Sequence, residues 1–405
     1  MPRKGLLSSS ILYGIIVLAF ILRPQANVRP VSAWWDTGHM IVSSRATQLL
    51  RDPWRSFLSY YEFYLNETTI YPDSIYKHLD PQEDYRHFID LEIWDPKKPE
   101  TGTLAFAVER FATEAVQAMK ASDWNKAFYL LGRVSHYLAD IHQPYHSTAD
   151  YNPRTKTGKG LHAILDASME VHLKEFKLVK ADDRPLEPVH NLTLFCFQMA
   201  WQSHSFLQRI NQILIDEEKE WSPELTKIVE NRTNSAIVAV ARAWHTITLR
   251  AGASPPQVPE SNAISVSVVG IPQEFDSDKE AALSIVVTDK IGVRTPAVVQ
   301  ASLGNQPLAV HELTYVADPL GRYSISLSSD TLSQFKGGDA SLSLTAERLG
   351  YVSGRLETTV KISGISTQVI RTVLVICSVV IVIVVLGGVH LRRGRKKVVV
   401  QEQTP

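Results

Sequence analysis

Cysteine is scarce: the 405 residues hold two, Cys196 and Cys377. The second lies in an apolar run read below as membrane-embedded, so a disulfide framework is excluded and any crosslinking of the fold must come from elsewhere. A net charge is missing too. Acidic and basic residues number 42 each, which excludes a whole-molecule field that would by itself advertise nucleic acid or an anionic surface as partner. Disorder is excluded by a hydrophobic content of 44%, enough for roughly two or three domains that each bury a core.

Histidine is plentiful. Several of the 13 histidines fall four or six residues from an aspartate or another histidine, the spacing of metal ligands.

The ends carry addresses. Residues 1–33 read as a secretory signal, with Arg3 and Lys4 at the start, an apolar run from Ile11 to Leu22 and a small-residue cleavage site at Val31-Ser32-Ala33. The expected mature chain begins at Trp34; the long stretch from Arg23 to Pro30 keeps an uncleaved anchor open as the alternative. Thr372 to Val389 is uncharged over 18 residues, within the roughly 17–25 needed to cross a bilayer, so residues 370–391 are expected to form a transmembrane helix. Arg392, Arg393, Arg395, Lys396 and Lys397 follow. They place the basic tail, 392–405, on the cytoplasmic side and the rest of the mature chain outside, as a single-pass cell-membrane protein. Sequons at Asn66, Asn191 and Asn231 fit an extracellular glycoprotein.

Between the ends the hydrophobic period changes once. Leu104 to Lys120, Trp124 to Ile141, Leu161 to Val179, Leu192 to Glu217 and Pro223 to Arg250 carry apolar residues at three-and-four spacing, which predicts a mainly α, all-helical domain over 34–250. A Pro- and Gly-containing linker at 251–259 ends it. Beyond the linker, Ile264 to Val268, Leu283 to Val287, Tyr323 to Leu327, Leu342 to Leu344 and Leu356 to Ile362 alternate like short strands, predicting an immunoglobulin-like β-sandwich over 260–365. That domain holds no cluster of potential ligands and is assigned to spacing or adhesion, with its partner unknown.

The chemistry concentrates in LGRVSHYLADIHQPYHS. His136 and Asp140 stand four apart on one helical face, and His146 follows beyond Pro144. A second pair at the same separation, His162 and Asp166, lies on the next predicted helix. Upstream, His39, Asp73 in YPDSIYK and His87 in RHFID would each pass alone for capping or surface residues.

Together these residues resemble the bacterial zinc-dependent phospholipases C and the fungal and plant single-strand-specific zinc nucleases, over Trp34 to about Arg250. In that superfamily a processed N-terminal tryptophan binds zinc through its free amine and carbonyl, and Trp34 in WWDTGH stands at its place. The resemblance implies three zinc ions. The first would be held by Asp73, His87, His136 and Asp140, the second by Asp140, Trp34 and His39, and the third by His146, His162 and Asp166. Imidazoles and carboxylates suit catalytic zinc, which activates a bound water and clamps a phosphodiester. Asp90, three residues after His87, is the candidate for orienting or deprotonating that water, with Asp73 beside it in the catalytic set. Phe88 is a weak candidate for stacking on a base or headgroup, against a core role. His142 falls off the ligand face and is left out.

Three functions fit. A phospholipase C acting on phospholipid headgroups is favoured by the modest gap between His146 and His162, the lack of disulfide cysteines and the tether. A nuclease or 3′-nucleotidase is the alternative, favoured by the short interval from Trp34 to His39 and by HFID but not by any basic stripe. The third is a cell-surface binding protein with structural zinc.

Overall fold

The computed structural model describes residues 36–181, 186–216, 221–313, 316–364 and 372–379. Trp34, the signal segment and most of 370–391 lie outside them. Among the described residues no helix is long and apolar enough to cross a membrane. The chain divides into two compact units, Met1–Pro256 and Gln257–Pro405.

The first unit is helical. Its main helices are α1 (Asp36–Leu49), α2 (Trp54–Tyr60), α3 (Glu62–Tyr71), α4 (Leu104–Lys120), α5 (Trp124–Asp140), α6 (Leu161–His172), α7 (Leu192–His204), α8 (Leu207–Asn211) and α9 (Pro223–Ala251). The axis is α5, buried at every position from Leu130 to Asp140, so it presents no face to water and must be enclosed by its neighbours. The Asp123 side chain caps its start by accepting from the Lys126 N–H. Helix α9 is stopped at both ends by its own sequence. Ser222 caps it with Pro223 in the first turn, and Gly252 closes it in the left-handed region at φ 61°. Its Trp244 is fully buried, with Nε1 donating to the Leu131 carbonyl at 3.1 Å, which locks α9 to α5.

Two predicted helices end early, for a visible reason. The helical pattern from Leu161 runs to Val179, but the helix stops at His172 and gives way to a turn and extended chain. There the N–H groups of Lys177 and Val179 bond to Glu230 Oε2 and Asn234 Oδ1 of α9. Side chains of a neighbouring helix thus replace the i−4 carbonyls, and Phe176 turns into the core. The pattern from Leu192 likewise breaks at Ser205 and Phe206 before α8 and a π-helical turn, Gln212–Asp216.

The second unit is two sheets over one core. Strands β1 (Ile264–Val269), β3 (Ala281–Asp289), β6 (Val310–Glu312) and β7 (Arg322–Leu327) form one sheet in the order β1-β3-β7-β6. Strands β2 (Phe275–Asp276), β4 (Val298–Leu303), β5 (Gln306–Leu308), β8 (Gly338–Glu347) and β9 (Gly354–Ser363) form the other in the order β2-β9-β8-β4-β5. Alternate residues point inward, as the two-residue period requires. Leu283, Ile285 and Val287 of β3 share a buried cluster with Leu342, Leu344 and Ala346 of β8.

Candidate metal centre

Six elements of the helical unit bring histidines and aspartates together. Helix α1 buries a small-residue face, Gly38, His39, Val42, Ser43 and Ala46, which lets its backbone approach closely and turns His39 inward. Helix α3 ends at Tyr71 and continues as a π-helical turn, Pro72–Tyr76. Pro72 has no N–H to give to the carbonyl four residues back, so the helix widens there, and Asp73 follows directly. His87 closes a 3-10 turn, Asp84–His87, after which Phe88 is fully extended. The chain from Ile89 pairs with the segment after α5, Ile89 N–H donating to the His146 carbonyl at 2.9 Å.

Helix α5 supplies His136 and Asp140, one turn apart. Past Pro144 a 3-10 turn, Pro144–Ser147, carries His146 back towards them. Gln143 fixes that turn. Its Oε1 accepts from the Tyr145 N–H at 2.6 Å while its Nε2 donates to Asp166 Oδ1 at 2.9 Å, tying α6 and its pair His162 and Asp166 to the end of α5.

The result is a chain of close contacts. His87 Nδ1 lies 2.9 Å from Asp140 Oδ2, 3.1 Å from His136 Nε2 and 3.7 Å from Asp73 Oδ1. His136 Nε2 lies 3.3 Å from Asp140 Oδ2 and 3.8 Å from Asp73 Oδ2. His39 Nε2 approaches Asp140 Oδ1 at 3.5 Å, its ring stacked on that of His136 at 4.0 Å. Separately, His146 Nε2 faces His162 Nε2 at 3.1 Å, and His162 Nε2 stands 3.3 Å from Asp166 Oδ2. Ligand atoms of His39, His136 and Asp140, and of Asp73, His87 and His136, converge closely enough for each trio to share one ion.

The protonation states test whether a cation belongs here. His136 Nδ1 lies 2.7 Å from the Thr69 carbonyl and His146 Nδ1 2.5 Å from the His87 carbonyl. A carbonyl only accepts, so each Nδ1 carries the proton and each Nε2 offers a bare lone pair. Burial holds His87, His136 and His146 below the ordinary imidazole range, and lowers His162 to about 4. The rings are therefore neutral near pH 7. The only proton His87 Nδ1 can bring serves at most one of the three acceptors around it. Burial likewise pushes Asp73 and Asp140 up when no metal stands beside them. The Lys77 ammonium pairs with Asp73, so the remaining buried acceptors crowded this way call for a further cation, and nitrogen with carboxylate oxygen is the donor set zinc prefers.

The other proposed residues fall as follows. Asp90 is fully buried, its N–H donating to the Thr101 carbonyl at 3.0 Å. Phe88 is 4% exposed and so offers no face to a substrate; its place is in the core. His142 is fully buried with Nδ1 on the Leu138 carbonyl, and burial lowers it to about 3. Trp34 lies outside the described residues.

Three further groups were not singled out from the sequence: Lys77, whose Nζ lies 2.5 Å from Asp73 Oδ1, the Thr69 carbonyl, and Glu83, four residues before His87 and behind its ring. Lys77 is one helical turn after Asp73, a pairing that is legible in retrospect.

Comparison with known proteins bears on this geometry. The family model described as S1/P1 Nuclease matches residues 34–242. Solved structures similar to the chain include an alpha-toxin of Clostridium perfringens from an avian strain, at 12% identity and TM-score 0.40 over 80% of this chain and 98% of that one. Another is the alpha toxin of Clostridium absonum, at 14% identity and TM-score 0.42 over 82% and 98%. No curated protein matches. The family match spans more than half of the chain and includes every residue of the cluster, and the protein accordingly belongs to the S1/P1 nuclease family of zinc-dependent phosphodiester hydrolases.

Proposed function

We propose that this protein hydrolyses the phosphodiesters of single-stranded nucleic acid or a 3′-nucleotide, with three zinc ions held as the resemblance implies. The observation that carries the substrate class is a groove of about 620 Å³ that begins on α1, the helix of His39. Arg45, Lys174, Lys177 and Lys180 line it over an apolar floor of Ile41, Leu173, Phe176 and Leu178. Among the described residues no carboxylate pairs with any of the four cations. Unpaired cations over apolar and aromatic surface suit a strand that offers phosphates and base faces together.

In this reading zinc supplies a nucleophilic water at neutral pH and charge neutralisation at the phosphate. The chain's own residues set the geometry. Asp73, His87, His136 and Asp140 would hold one ion, Asp140, His39 and the amino terminus of Trp34 a second, and His146, His162 and Asp166 a third. Gln143 orients Asp166, and the Thr69 and His87 carbonyls keep His136 and His146 in the tautomer that leaves Nε2 free. Asp90 is our candidate for accepting the proton of the attacking water.

A phospholipase C activity is the second reading, favoured by a separate observation. Ile93, Phe106, Leu194 and Trp201 expose 57%, 45%, 57% and 57% of their surface, and Trp94 links Phe106 to Phe197 on the same helix as Trp201. Exposed aromatic and aliphatic side chains of this kind suit a lipid interface. Around the enzyme we read residues 1–33 as a signal, the sandwich as an immunoglobulin-like spacer, and 370–391 as a membrane anchor that keeps the helical unit outside the cytoplasm. Residues 372–379 are helical with exposed apolar side chains, in keeping with that anchor.

The test is a parallel assay of zinc-loaded protein on single-stranded DNA and on phosphatidylcholine vesicles. Cleavage of DNA, with R45E/K177E raising KM and flattening the salt dependence of binding by about 1.4 in log–log slope, supports the nucleic-acid reading. Cleavage of vesicles alone replaces it with the phospholipase. Turnover of neither substrate by zinc-loaded protein sinks both.

A further inference from the structure

Immediately behind the His87 ring lies a carboxylate with no exposure to solvent. Glu83 Oε2 accepts from Arg133 Nη2 at 2.7 Å and from Arg86 Nη1 at 2.5 Å, and Oε1 accepts from the Tyr137 hydroxyl. Arg133 is itself enclosed, its guanidinium 3.9 Å from the centre of the Phe111 ring and 4.4 Å from that of Tyr76. Tyr137 stands edge-on to both His87 and His136, with ring centres 5.6 and 5.4 Å away.

A buried ion pair is a poor route to stability, because its desolvation cost rivals its attraction and apolar residues of similar size pack as well. Its position indicates a different role. His87 directs Nδ1 at Asp140, His136 and Asp73, and its opposite nitrogen, Nε2, is buried with no hydrogen-bond partner among the described residues. That Nε2 faces Glu83 Oε1 at 3.8 Å, too far for a hydrogen bond but a short ring movement from one. A carboxylate there favours the tautomer with the proton on Nε2, which frees the Nδ1 lone pair for a metal ion.

We propose that Glu83, gripped by Arg133 and Tyr137, is a positioning residue for the metal centre: it fixes the ring orientation and tautomer of His87. The inference rests on the zinc reading above and concerns residues that reading does not use.

The experiment compares wild type, E83Q, Y137F and the double variant E83Q/R133M. It measures zinc retention against a competing chelator, melting of the metal-stripped protein, and kcat and KM on single-stranded DNA. E83Q alone strands a buried guanidinium and carries a folding risk. The double variant removes that charge, so its stripped form should melt close to stripped wild type. The expected result is zinc held about 10- to 100-fold less tightly in the double variant, the usual cost of losing an outer-shell partner, with kcat lowered and KM little changed. Y137F, which loses one donor to Glu83, should show the same change at a few-fold. Unchanged zinc affinity in the double variant and in Y137F, with wild type binding zinc normally, overturns the role of Glu83 and leaves the zinc reading intact. A wild type that holds no zinc overturns both.

Discussion

Two buried imidazole nitrogens, His146 Nε2 and His162 Nε2, face each other at 3.1 Å with no proton between them. The His146 proton is committed to the His87 carbonyl, and the His162 ring bonds the Tyr151 backbone, a bond that falls to its Nδ1 because its Nε2 faces His146 and Asp166. Two lone pairs held that close repel unless a cation lies between them. H162A is therefore expected to lose about one zinc equivalent by elemental analysis, while the ions near His136 stay. Stripping all the zinc from wild type should lower Tm by roughly 10 °C, since a ligand at a thousand times its Kd contributes about 4 kcal/mol. Equal zinc content in H162A and wild type would remove His162 from the site.

Gly132 controls how close α5 comes to α3. A Cβ there would sit 2.1 Å from Thr68 Oγ1 and 2.7 Å from the Thr68 backbone carbon. The hydroxyl is not free to swing aside, because it bonds the Tyr64 carbonyl at 2.9 Å. G132A must push the helices apart, at about 1–3 kcal/mol for an overpacked core. One turn on, His136 depends on the Thr69 carbonyl of the opposing helix. The variant should thus melt several degrees lower and also bind zinc more weakly, which a chelator titration below its melting range would separate from unfolding.

How much of this was legible in the sequence depends on the range of each contact. His136 with Asp140 and His162 with Asp166 could be paired from spacing alone, because the helical period turns a separation of four into adjacency. His39, Asp73 and His87 had no such local signal; they entered through the resemblance, and the fold is what brings them against α5. Helix α1 was hard to see for a physical reason: the face it buries is mostly glycine, serine, alanine, threonine and histidine, so the hydrophobic period is weak in the helix that carries His39. Glu83 stands four before His87, but that spacing alone does not distinguish it from a surface carboxylate, since its meeting with Arg133 spans 50 positions and is decided by packing. Phe88 in HFID fits a substrate or a core role by sequence, and burial decides for the core. No basic stripe stands in the sequence, because Arg45 and the lysines at 174, 177 and 180 come together only when α6 ends early and its chain folds back beside α1.

In the sheet unit, the Tyr323 hydroxyl on β7 donates to the Ala297 carbonyl and accepts from the Ala297 N–H, both at 2.7 Å. It pins the segment that leads into β4 of the other sheet. Y323F removes both bonds, at about 1–3 kcal/mol where the freed groups stay poorly solvated. Calorimetry should show the loss in one of two unfolding transitions, with zinc content unchanged because every proposed ligand belongs to the first unit. A variant that melts like wild type would show water satisfying Ala297 fully.

Cys196 on α7 gives a prediction about alkaline pH. The thiol is fully buried, and burial, reinforced by the negative charge of Glu109, pushes its pKa well above the ordinary thiol range. An unfolded cysteine ionises near pH 8.5. The folded value is raised above the unfolded one, so the associated stability is complete below about pH 8.5 and declines as pH rises, because only the unfolded chain gains from releasing the proton. Between pH 8 and pH 10 that decline is about 2 kcal/mol, at about 1.4 kcal/mol per unit above the unfolded pKa. C196A should lose some stability at every pH from the missing sulfur, but its fall between pH 8 and pH 10 should be smaller by that amount. Other groups titrate alike in both proteins, so the difference isolates Cys196. The native thiol should also resist a disulfide reagent at pH 8 until denaturant is added. Rapid native labelling at this position, or identical pH slopes, would show that α7 opens without unfolding the domain.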